Sequence, residues 1–456
     1  MRLAPDTLHH LPPQVERFGY DRDAQALGIV HFGIGAFHRA HQAWYADRAM
    51  AAGDEGWAIS GVSLRSPDVA AQLNPQGGLY TLTERSGNAA NSRVIGAIRE
   101  VLFAPEQREA VVARIADPAC HIVSFTVTEK GYARAADGSL DFAAARQSFY
   151  PLLGEALARR RAAGLAGVTL LSCDNLAHNG AVLQRLMSEW IEAEAPALAD
   201  WFEQHCTCPS TMIDRIVPRS GGEDLDDLEA RIGLRDEGAV FTERFSQWVI
   251  EDRFAGRRPR WGRHGVQLVA DVAPYETAKL RMLNGAHSLL AYCGLEAGYR
   301  FVHEAVADRR LRELATRLMI EEALPSIKPA PGQDLHAYAD QLLTRFADPA
   351  LRHRLDQIAM DGTQKIPQRW LDTAAELVRR GQPFDAIATG FAAWVWHLAD
   401  GRFVDDPYGE ELHTLAAEKG SPALVARCFG PCPKAAALWP RYEHLAATML
   451  RQAQPS

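Results

Sequence analysis

One change of pattern, near residue 272, constrains the fold of this 456-residue chain more than any other feature. Before it, short β-branched or apolar runs alternate with stretches of helical periodicity; after it, almost every segment has the pattern of a helix. Alternating strands and helices predict a largely parallel sheet that is covered on both faces. We therefore predict an α/β N-terminal domain over residues 1–272 and an all-α C-terminal domain over 273–456.

Four buried strands carry the predicted sheet: Leu27–Phe32, Trp57–Val62, Ile122–Val127 and Val168–Ser172. Two further runs, Leu79–Glu84 and Arg93–Ala97, alternate in polarity and predict an antiparallel hairpin. Helices are predicted in the first half at 40–52, 106–117, 141–164 and 179–205. In the second half they are predicted at 276–296, 308–324, 334–346, 348–359, 371–380, 383–399, 408–418 and 434–452.

Composition excludes several classes of function. The net charge is −8, and no long basic run is interleaved with aromatics, which argues against nucleic acid as a partner. No apolar run reaches the roughly 18 residues of a membrane span, and residues 1–20 lack the pattern of a signal peptide, so we expect a cytoplasmic protein. The seven cysteines are scattered and odd in number, which favours reduced thiols over disulfides or structural zinc.

A glycine-rich turn follows the first predicted strand. Gly33 and Gly35 occupy the first two places of the G-x-G-x-x-G pattern, in which the first glycine permits a tight turn and the second lets the backbone approach a pyrophosphate. The third place holds His38, so the pattern is incomplete, and a plain strand–turn–helix would explain it equally well. With the βαβ pattern around it, this turn makes the N-terminal domain Rossmann-like.

The second strand leads into the residues that would choose between NAD and NADP. Asp68 is placed to accept from a ribose 2′-hydroxyl, which would favour NAD, whereas Arg65 is placed to pair with a 2′-phosphate. We expect NAD, with NADP left open. We assign Gly33, Gly35, Phe37, His38, Arg65 and Asp68 to cofactor binding.

The first helix of the second domain carries an unusual polar set. At 100° per residue, Glu276, Lys279, Asn284 and His287 fall within roughly 140° of arc on an otherwise apolar helix. An ordinary solvated helix face is the alternative. Against it, the helix is too apolar to be mostly solvated and begins at the predicted domain boundary.

This polar set suits proton transfer at an alcohol. A lysine in dry surroundings has a lowered pKa and becomes a usable base near neutral pH. Amide donors aimed at the alcohol oxygen would stabilise the charge that develops there. Asn284 is one such amide, and Asn175 is another, because it follows an apolar strand at the edge where open α/β sheets bind ligands. A loop turn or a helix cap would explain Asp174 and Asn175 equally well.

Together these segments resemble the long-chain mannitol dehydrogenase family. The likeness runs from about residue 29 to beyond residue 370. Its markers are GIGAFHRAH at 33–41, TVTEKGY at 126–132, SCDN at 172–175, TMIDRIVP at 211–218, QWVIEDRF at 247–254 and KLRMLNGAH at 279–287. The resemblance implies hydride transfer between a nicotinamide and C2 of a polyol or ketose, or of an aldonate or ketouronate, without a metal.

The resemblance also implies roles for single residues. Lys279 is expected to be the general acid and base, Asn175 and Asn284 the oxyanion pair, His287 a ligand of a substrate hydroxyl, and Glu276 a proton relay. Asp214 and Lys365 match positions expected to line the substrate site. No large partner is implied, and the family favours a monomer.

Within the family, several segments are closer to fructuronate reductase (mannonate oxidoreductase) than to mannitol 2-dehydrogenase or arabinitol dehydrogenase. QIAMDGTQKIPQR at 357–369 is one of them, and Ser66 stands where mannitol-type enzymes tend to carry glutamate. Lys130, Lys365 and Arg369 would then bind a substrate carboxylate; structural ion pairs would explain these cations equally well.

Two hypotheses from other classes compete with a dehydrogenase. One is a nucleotide-binding regulator without turnover, against which the intact set of Lys279, Asn284, His287 and Asn175 argues. The other is a lyase or isomerase that uses Lys279 as a Schiff-base amine, which borohydride trapping would detect.

Overall fold

The structure, a computed structural model, describes residues 1–87, 89–135, 137–401, 405–430 and 437–452. The chain divides into two compact units, Met1–Val272 and Ala273–Ser456. Each unit encloses its own buried apolar clusters. In the described part of the chain, no helix is both long enough and apolar enough to cross a membrane.

The first unit is built on a five-stranded sheet whose strands are all parallel. Its members are β1 (Ile29–Phe32), β2 (Ile59–Ser63), β5 (Ile98–Phe103), β6 (Ile122–Phe125) and β7 (Thr169–Ser172). Their order is β5-β2-β1-β6-β7, so the order reverses direction at β1. Such a reversal opens a crevice at the carboxyl ends of the two central strands, which is where open α/β sheets bind ligands. The predicted Rossmann-like sheet is confirmed.

Two small sheets complete the strands of this unit. The predicted hairpin is present as β3 (Tyr80–Ser86) and β4 (Ala89–Ile95), and β9 (Val240–Glu243) pairs in parallel with β3. The other sheet joins β8 (Thr211–Asp214), β10 (Gln247–Glu251) and β11 (Gln267–Val269) in the order β11-β10-β8. Residues 211–269 therefore contribute strands that the sequence analysis did not predict.

Helices flank the parallel sheet. The α-helices are Ala36–Ala40, Gln42–Ala51, Asp68–Leu73, Arg108–Ala116, Thr128–Gly131, Phe142–Ala145, Tyr150–Ala162, Asn179–Glu194, Ala199–His205 and Gly222–Ile232; 3₁₀ turns span Pro5–His10, Asn74–Gln76, Pro196–Leu198 and Trp261–His264. The predicted helix 141–164 is interrupted between Ala145 and Tyr150, and the predicted helix 40–52 corresponds to Gln42–Ala51, which a separate short helix, Ala36–Ala40, precedes.

The second unit contains helices and turns throughout its described part, which confirms the predicted all-α character. Its α-helices are Ala273–Ala278, Gly285–Glu296, Val302–Ala307, Arg309–Arg317, Leu335–Phe346, Leu355–Ala359, Gly362–Ile366, Asp372–Arg379, Asp385–Ala399, Gly409–Lys419, Ser421–Phe429 and Ala446–Gln452. Its 3₁₀ turns are Leu324–Ser326, Pro349–Leu351 and Pro440–Leu445. π-Helical turns span Lys279–Asn284, Leu318–Ala323 and Pro367–Leu371.

Several helix predictions for this unit need correction: the helix predicted at 308–324 ends in a π-helical turn, and helices Val302–Ala307 and Gly362–Ile366 were not predicted. The regular helix predicted at 276–296 contains a π-helical turn, and the segment predicted as 348–359 is a 3₁₀ turn followed by a short α-helix. Helix Ser421–Phe429 was not predicted, although its proline lies in the first turn, where the missing N–H is tolerated. Of the helix predicted at 434–452, residues 434–436 lie outside the described residues, as do Cys432 and the predicted break at 431–433.

Candidate active site

A cavity of about 510 Å³ lies at the carboxyl edge of the parallel sheet, within the first unit. It lies where β1, β2 and β6 end side by side, because Phe32 is in register with both Val62 and Phe125. Its lining comprises Gly33, Ile34, Gly35, Ser63, Leu64, Arg65, Ser66, Val69, Thr126, Val127, Thr128, Lys130, Gly131, Ala133, Ala144, Gln147 and Ser148.

The two glycines of the turn after β1 have different roles in this geometry. Gly33 has a φ of +91°, and a Cβ atom there would lie 2.0 Å from the Thr126 carbonyl oxygen. At Gly35, a Cβ atom would meet only the Gly33 carbonyl oxygen, at 3.9 Å, so a side chain would extend into open space beside the cavity. The absence of a side chain at Gly35 leaves room for a pyrophosphate to approach the backbone. The turn therefore fits a dinucleotide.

Two stacked imidazole rings, those of His31 and His38, lie next to the turn after β1. The His31 ring contacts the Ser124 hydroxyl at 2.8 Å and the Thr126 hydroxyl at 2.9 Å, and the His38 ring stacks on it with centroids 3.4 Å apart. Burial lowers the pKa of His31 to about 3 and that of His38 well below its ordinary value, so both rings are neutral. His38 has no accessible surface. Its predicted role as a cofactor contact is therefore corrected to support of the turn.

The turn after β6 is held by a buried carboxylate, which the sequence analysis had left as a loop or cap residue. Asp174 accepts from the Val127 and Thr128 backbone N–H groups at 3.0 and 2.8 Å, and from the Tyr132 hydroxyl at 2.8 Å. Burial raises the pKa of this carboxyl to about 6, although the hydrogen bonds favour its charged form. Thr128 adopts a positive φ of 65°, so this part of the cavity wall depends on the clamp.

The other residues assigned to the cofactor lie in different environments. Arg65 lines the cavity, whereas Asp68 is exposed in the first turn of helix Asp68–Leu73 and contributes nothing to the described lining. Phe37 is half-buried and stacks on the His41 ring, with centroids 5.3 Å apart. Lys130, assigned from the sequence to the substrate carboxylate, lies in the cavity wall instead.

Asn175, predicted as an oxyanion donor, and Asp214, predicted to line the substrate site, lie elsewhere in the first unit. Asn175 is exposed, three residues after β7 ends. Asp214 is the last residue of β8 and is almost fully buried. Its neighbour Arg215 is a structural cation, because it donates to the Ala40 carbonyl and pairs with Glu84, each at 2.6 Å.

In the second unit, the lysine motif occupies a π-helical turn, Lys279–Asn284. In an α-helix, the residue five positions on is rotated by about 140°. A π-helix closes i→i+5 hydrogen bonds, so Asn284 lies one turn beyond Lys279 on the same side. His287 follows three residues later in helix Gly285–Glu296. Lys279 and Asn284 therefore lie closer to one side of the helix than they would in the regular α-helix that the sequence predicted.

The set is buried, and part of its hydrogen-bonding capacity is unused. Exposed fractions are 9% for Lys279 and 7% each for Asn284 and His287. Neither Asn284 Nδ2 nor His287 Nε2 has a hydrogen-bond partner within the described residues. Buried polar atoms are almost always paired in proteins, so unpaired ones at one place indicate a position for a ligand.

Cations and a second imidazole surround His287. Burial lowers the pKa of His287 well below its ordinary value, and His353, Arg369, Arg345 and Lys279 lower it further. The His353 ring lies edge-on to the His287 ring at 5.2 Å, and burial lowers the pKa of His353 to about 4. Both rings are therefore neutral. Arg345 and His353 were not predicted, because they reach His287 from a separate helix, Leu335–Phe346, and from the segment between Leu351 and Leu355.

The remaining residues assigned to the site differ in their hydrogen bonds, ion pairs and burial. Arg369 Nη1 donates to the Ser288 hydroxyl at 2.7 Å. Lys365 Nζ donates to the Met360 carbonyl at 2.6 Å and is 3.9 Å from Asp361. Neighbouring residues in the chain therefore use part of the hydrogen-bonding capacity of this ammonium group. Glu276 is half-buried, one turn before Lys279. Within the described residues, no three His, Cys, Asp or Glu side chains gather as a metal site would require.

The parallel sheet with a glycine turn at its switch point defines a dinucleotide-binding enzyme class, and comparisons with known proteins narrow that class. Residues 27–263 match the profile of the mannitol dehydrogenase Rossmann domain, and residues 271–419 match that of the mannitol dehydrogenase C-terminal domain. The chain therefore belongs to the mannitol dehydrogenase family, whose members are oxidoreductases of CH–OH groups.

Relatives with different names match to similar degrees. D-mannonate oxidoreductase of Escherichia coli is 41% identical, over 89% of this chain and 88% of that protein. Polyol:NADP oxidoreductase of Gluconobacter oxydans is 38% identical, over 86% of this chain and 84% of that protein. Among solved structures, Pseudomonas fluorescens mannitol 2-dehydrogenase with NAD and D-mannitol is 34% identical, with a TM-score of 0.88, covering 99% of this chain and 96% of that one.

Proposed function

We propose that this chain interconverts a secondary alcohol and a ketone at C2 of a sugar acid, with Lys279 as the general acid and base. The main support is the buried set of Lys279, Asn284 and His287, in which two polar atoms lack partners within the described residues. These atoms suit a substrate oxygen and a neighbouring hydroxyl. The nicotinamide cofactor, when bound, supplies or accepts the hydride.

In the oxidative direction, the Lys279 amine takes the proton from the alcohol oxygen, and in the reductive direction its ammonium returns that proton. Asn284 donates from Nδ2 to the same oxygen, and Asn175 serves as the second amide donor. His287 is neutral because of its burial, so its ring can bind a substrate hydroxyl without adding charge. Glu276 exchanges the proton between Lys279 and solvent.

The charges around His287 favour a sugar acid as the substrate. Lys279, Arg345 and Arg369 all act on this ring as cations, and the neighbouring His353 is neutral. A guanidinium can bind a carboxylate through two hydrogen bonds, so arginines near this ring suit an acidic substrate. D-fructuronate and D-mannonate fit this chemistry, as does the 41% identity to a D-mannonate oxidoreductase.

A neutral polyol and its ketose are the second candidate pair. The structural similarity to a mannitol 2-dehydrogenase holding D-mannitol favours this alternative. Lys279, Asn284 and His287 would act in the same way on either substrate, so only the substrate carboxylate distinguishes the two candidate pairs.

A substrate panel tests the proposal: fructuronate, tagaturonate, fructose and xylulose, each with NADH and with NADPH at one pH. We expect the uronates to be reduced with kcat/KM values about ten- to a hundredfold above those of the neutral ketoses, because a charge-assisted hydrogen bond contributes that much. Arg369→Ala should raise KM for uronates and leave that for fructose nearly unchanged. Reduction of the neutral ketoses alone would reject the sugar acid, and reduction of no ketose would reject the function.

A further inference from the structure

The side chains of the dinucleotide cavity carry an unbalanced charge. Its described lining contains two cations, Arg65 and Lys130, and no carboxylate. Both cations are exposed, and neither forms a hydrogen bond or an ion pair through its side chain with any described residue. Elsewhere in this unit arginines pair with carboxylates, as Arg85 does with Asp224 and Arg114 with Glu100.

From this arrangement we infer that the cavity is built for a cofactor phosphorylated at the adenosine 2′-position, so that the chain prefers NADP(H) to NAD(H). This inference rests on the proposed function, because it concerns which nicotinamide dinucleotide the enzyme uses. A sheet that prefers NAD places a carboxylate after the second strand to accept from the ribose 2′-hydroxyl, whereas a sheet that accepts NADP places an arginine there.

The segment after β2 carries the arginine that is expected for binding NADP. The residues from Ser63 to Ser66 line the cavity directly after the strand, and Arg65 is among them. The backbone of this turn is fixed, because the Ser63 hydroxyl donates to the Ser66 carbonyl at 2.5 Å and the Asp68 N–H donates to the Ser66 hydroxyl at 3.1 Å. Asp68, the one acid within this segment, begins the next helix outside the described lining.

Lys130 supplies the second positive charge from another strand. It follows β6 in the short helix Thr128–Gly131, next to the turn clamped by Asp174. Glu129 lies beside it in the sequence but does not line the described cavity. A phosphate dianion favours two cationic donors over one, since each adds a charge-assisted hydrogen bond. This assignment replaces the substrate-carboxylate role that the sequence suggested for Lys130.

Family membership leaves this choice open. The mannitol 2-dehydrogenase structure holds NAD, whereas the Gluconobacter oxydans relative is named a polyol:NADP oxidoreductase, and the two are 34% and 38% identical to this chain. The residues after β2 therefore have to decide, and in this chain they are cationic and polar.

The test measures binding to the full-length protein by nicotinamide fluorescence and calorimetry, without turnover. We expect NADPH to bind at least about tenfold more tightly than NADH. Adenosine 2′,5′-bisphosphate should compete for the site, whereas 5′-AMP and inorganic phosphate should compete much more weakly. The preference should shrink as salt rises, because the cations are exposed.

Variants assign the preference to residues. Arg65→Ala should weaken NADPH binding by about ten- to a hundredfold and leave NADH nearly unchanged, and Lys130→Ala should have a smaller effect in the same direction. Ser66→Glu should reverse the preference by repelling the phosphate. Arg108→Ala is the matched control, since Arg108 is a half-exposed arginine of the same unit outside the cavity lining.

The outcomes distinguish failure of the NADP(H) preference from failure of the proposed function. NADH binding as tightly as NADPH, or an unchanged NADPH-to-NADH ratio in Arg65→Ala, would overturn this inference while leaving the dehydrogenase function intact. Failure of the protein to bind either dinucleotide would overturn the proposed function itself.

Discussion

At the scale of single residues, Lys279 is the group on which the proposed chemistry depends. It is nearly buried, begins a π-helical turn and lies close enough to His287 to lower the pKa of that ring.

Replacing Lys279 by alanine should therefore lower kcat by about a hundred- to ten-thousandfold, which is the usual contribution of a general base. Dinucleotide affinity should be unchanged, since the cavity described above lies in the first unit. Lys419→Ala, at the exposed end of helix Gly409–Lys419, is the matched control. Steady-state kinetics and fluorescence titration measure both quantities, and near-normal turnover in Lys279→Ala would reject the base assignment.

Asn284→Ala should separate a catalytic from a structural role. If Asn284 Nδ2 donates to the reacting oxygen, kcat/KM should fall by the equivalent of roughly 3 kcal/mol. The melting temperature should change little, because that donor has no partner within the described residues. A large fall in melting temperature with kcat/KM preserved would instead make Asn284 a structural residue.

At the scale of elements, the two turns that line the cavity are rigid for different reasons. The turn after β1 is fixed by Gly33, whose conformation and close approach to Thr126 exclude a side chain. The turn after β6 contains a residue with positive φ, Thr128, and is held by the Asp174 carboxylate. Both turns are supported by buried groups beneath them rather than by their own sequence alone.

Asp174→Asn should loosen the second turn. An amide offers one carbonyl oxygen to the Val127 and Thr128 N–H groups and turns its own N–H₂ towards them, so we expect unfolding to become easier by about 1–3 kcal/mol and dinucleotide affinity to fall. Tyr132→Phe, which removes one donor but leaves both backbone bonds, is the milder control. Because the pKa of Asp174 is about 6, wild-type affinity should also weaken below pH 6. Titrations at pH 5.5 and 7.5 measure this; unchanged affinity in Asp174→Asn would show that the clamp is dispensable.

At the scale of the whole molecule, each unit buries neutral imidazoles together with carboxyls whose pKa is raised by burial. The first unit holds His31, His38, Asp174 and Asp236. The second holds His287, His353 and Glu322, whose pKa burial raises to about 7 and whose carboxylate accepts from Ala386 and Ile387 N–H groups. A histidine with a lowered native pKa stabilises the fold above pH 6.5 and loses that effect as pH falls. A carboxyl with a raised native pKa acts in the opposite sense, and its stabilisation is lost as pH rises towards the native value.

In the second unit the two imidazoles outnumber the one carboxyl, so unfolding near pH 5.5 should take up roughly one proton from these three groups, and the melting temperature should fall between pH 7 and pH 5. Glu322→Gln removes the opposing group of the second unit, so the free energy of unfolding of this variant, relative to wild type, should rise from pH 5 to pH 8. Calorimetry across this range measures both. A melting temperature independent of pH would mean that these imidazoles are already charged in the native protein.

Much of the architecture followed from the sequence, because it depends on periodicity. The strands that begin near Ile29, Ile59, Ile122 and Thr169 and the helical second half were predicted correctly, since buried parallel strands are short apolar runs and amphipathic helices repeat along the chain. Strands β5 and β8 to β11 escaped prediction because each of them pairs with a segment elsewhere in the chain. Their existence depends on partners that local pattern does not contain.

What the sequence determined by itself was the set of chemical groups and their spacing: the glycines after β1 and the lysine, asparagine and histidine of the second unit. Tertiary structure alone decided how those groups are presented. It turned Lys279–Asn284 into a π-helical turn that aligns groups five residues apart, and it withdrew His38 from solvent. It also brought Arg345 and His353 to His287 and left Arg65 and Lys130 as the cations of one cavity. Burial and electrostatic environment depend on neighbours distant in the chain, and no spacing along one helix or strand encodes them.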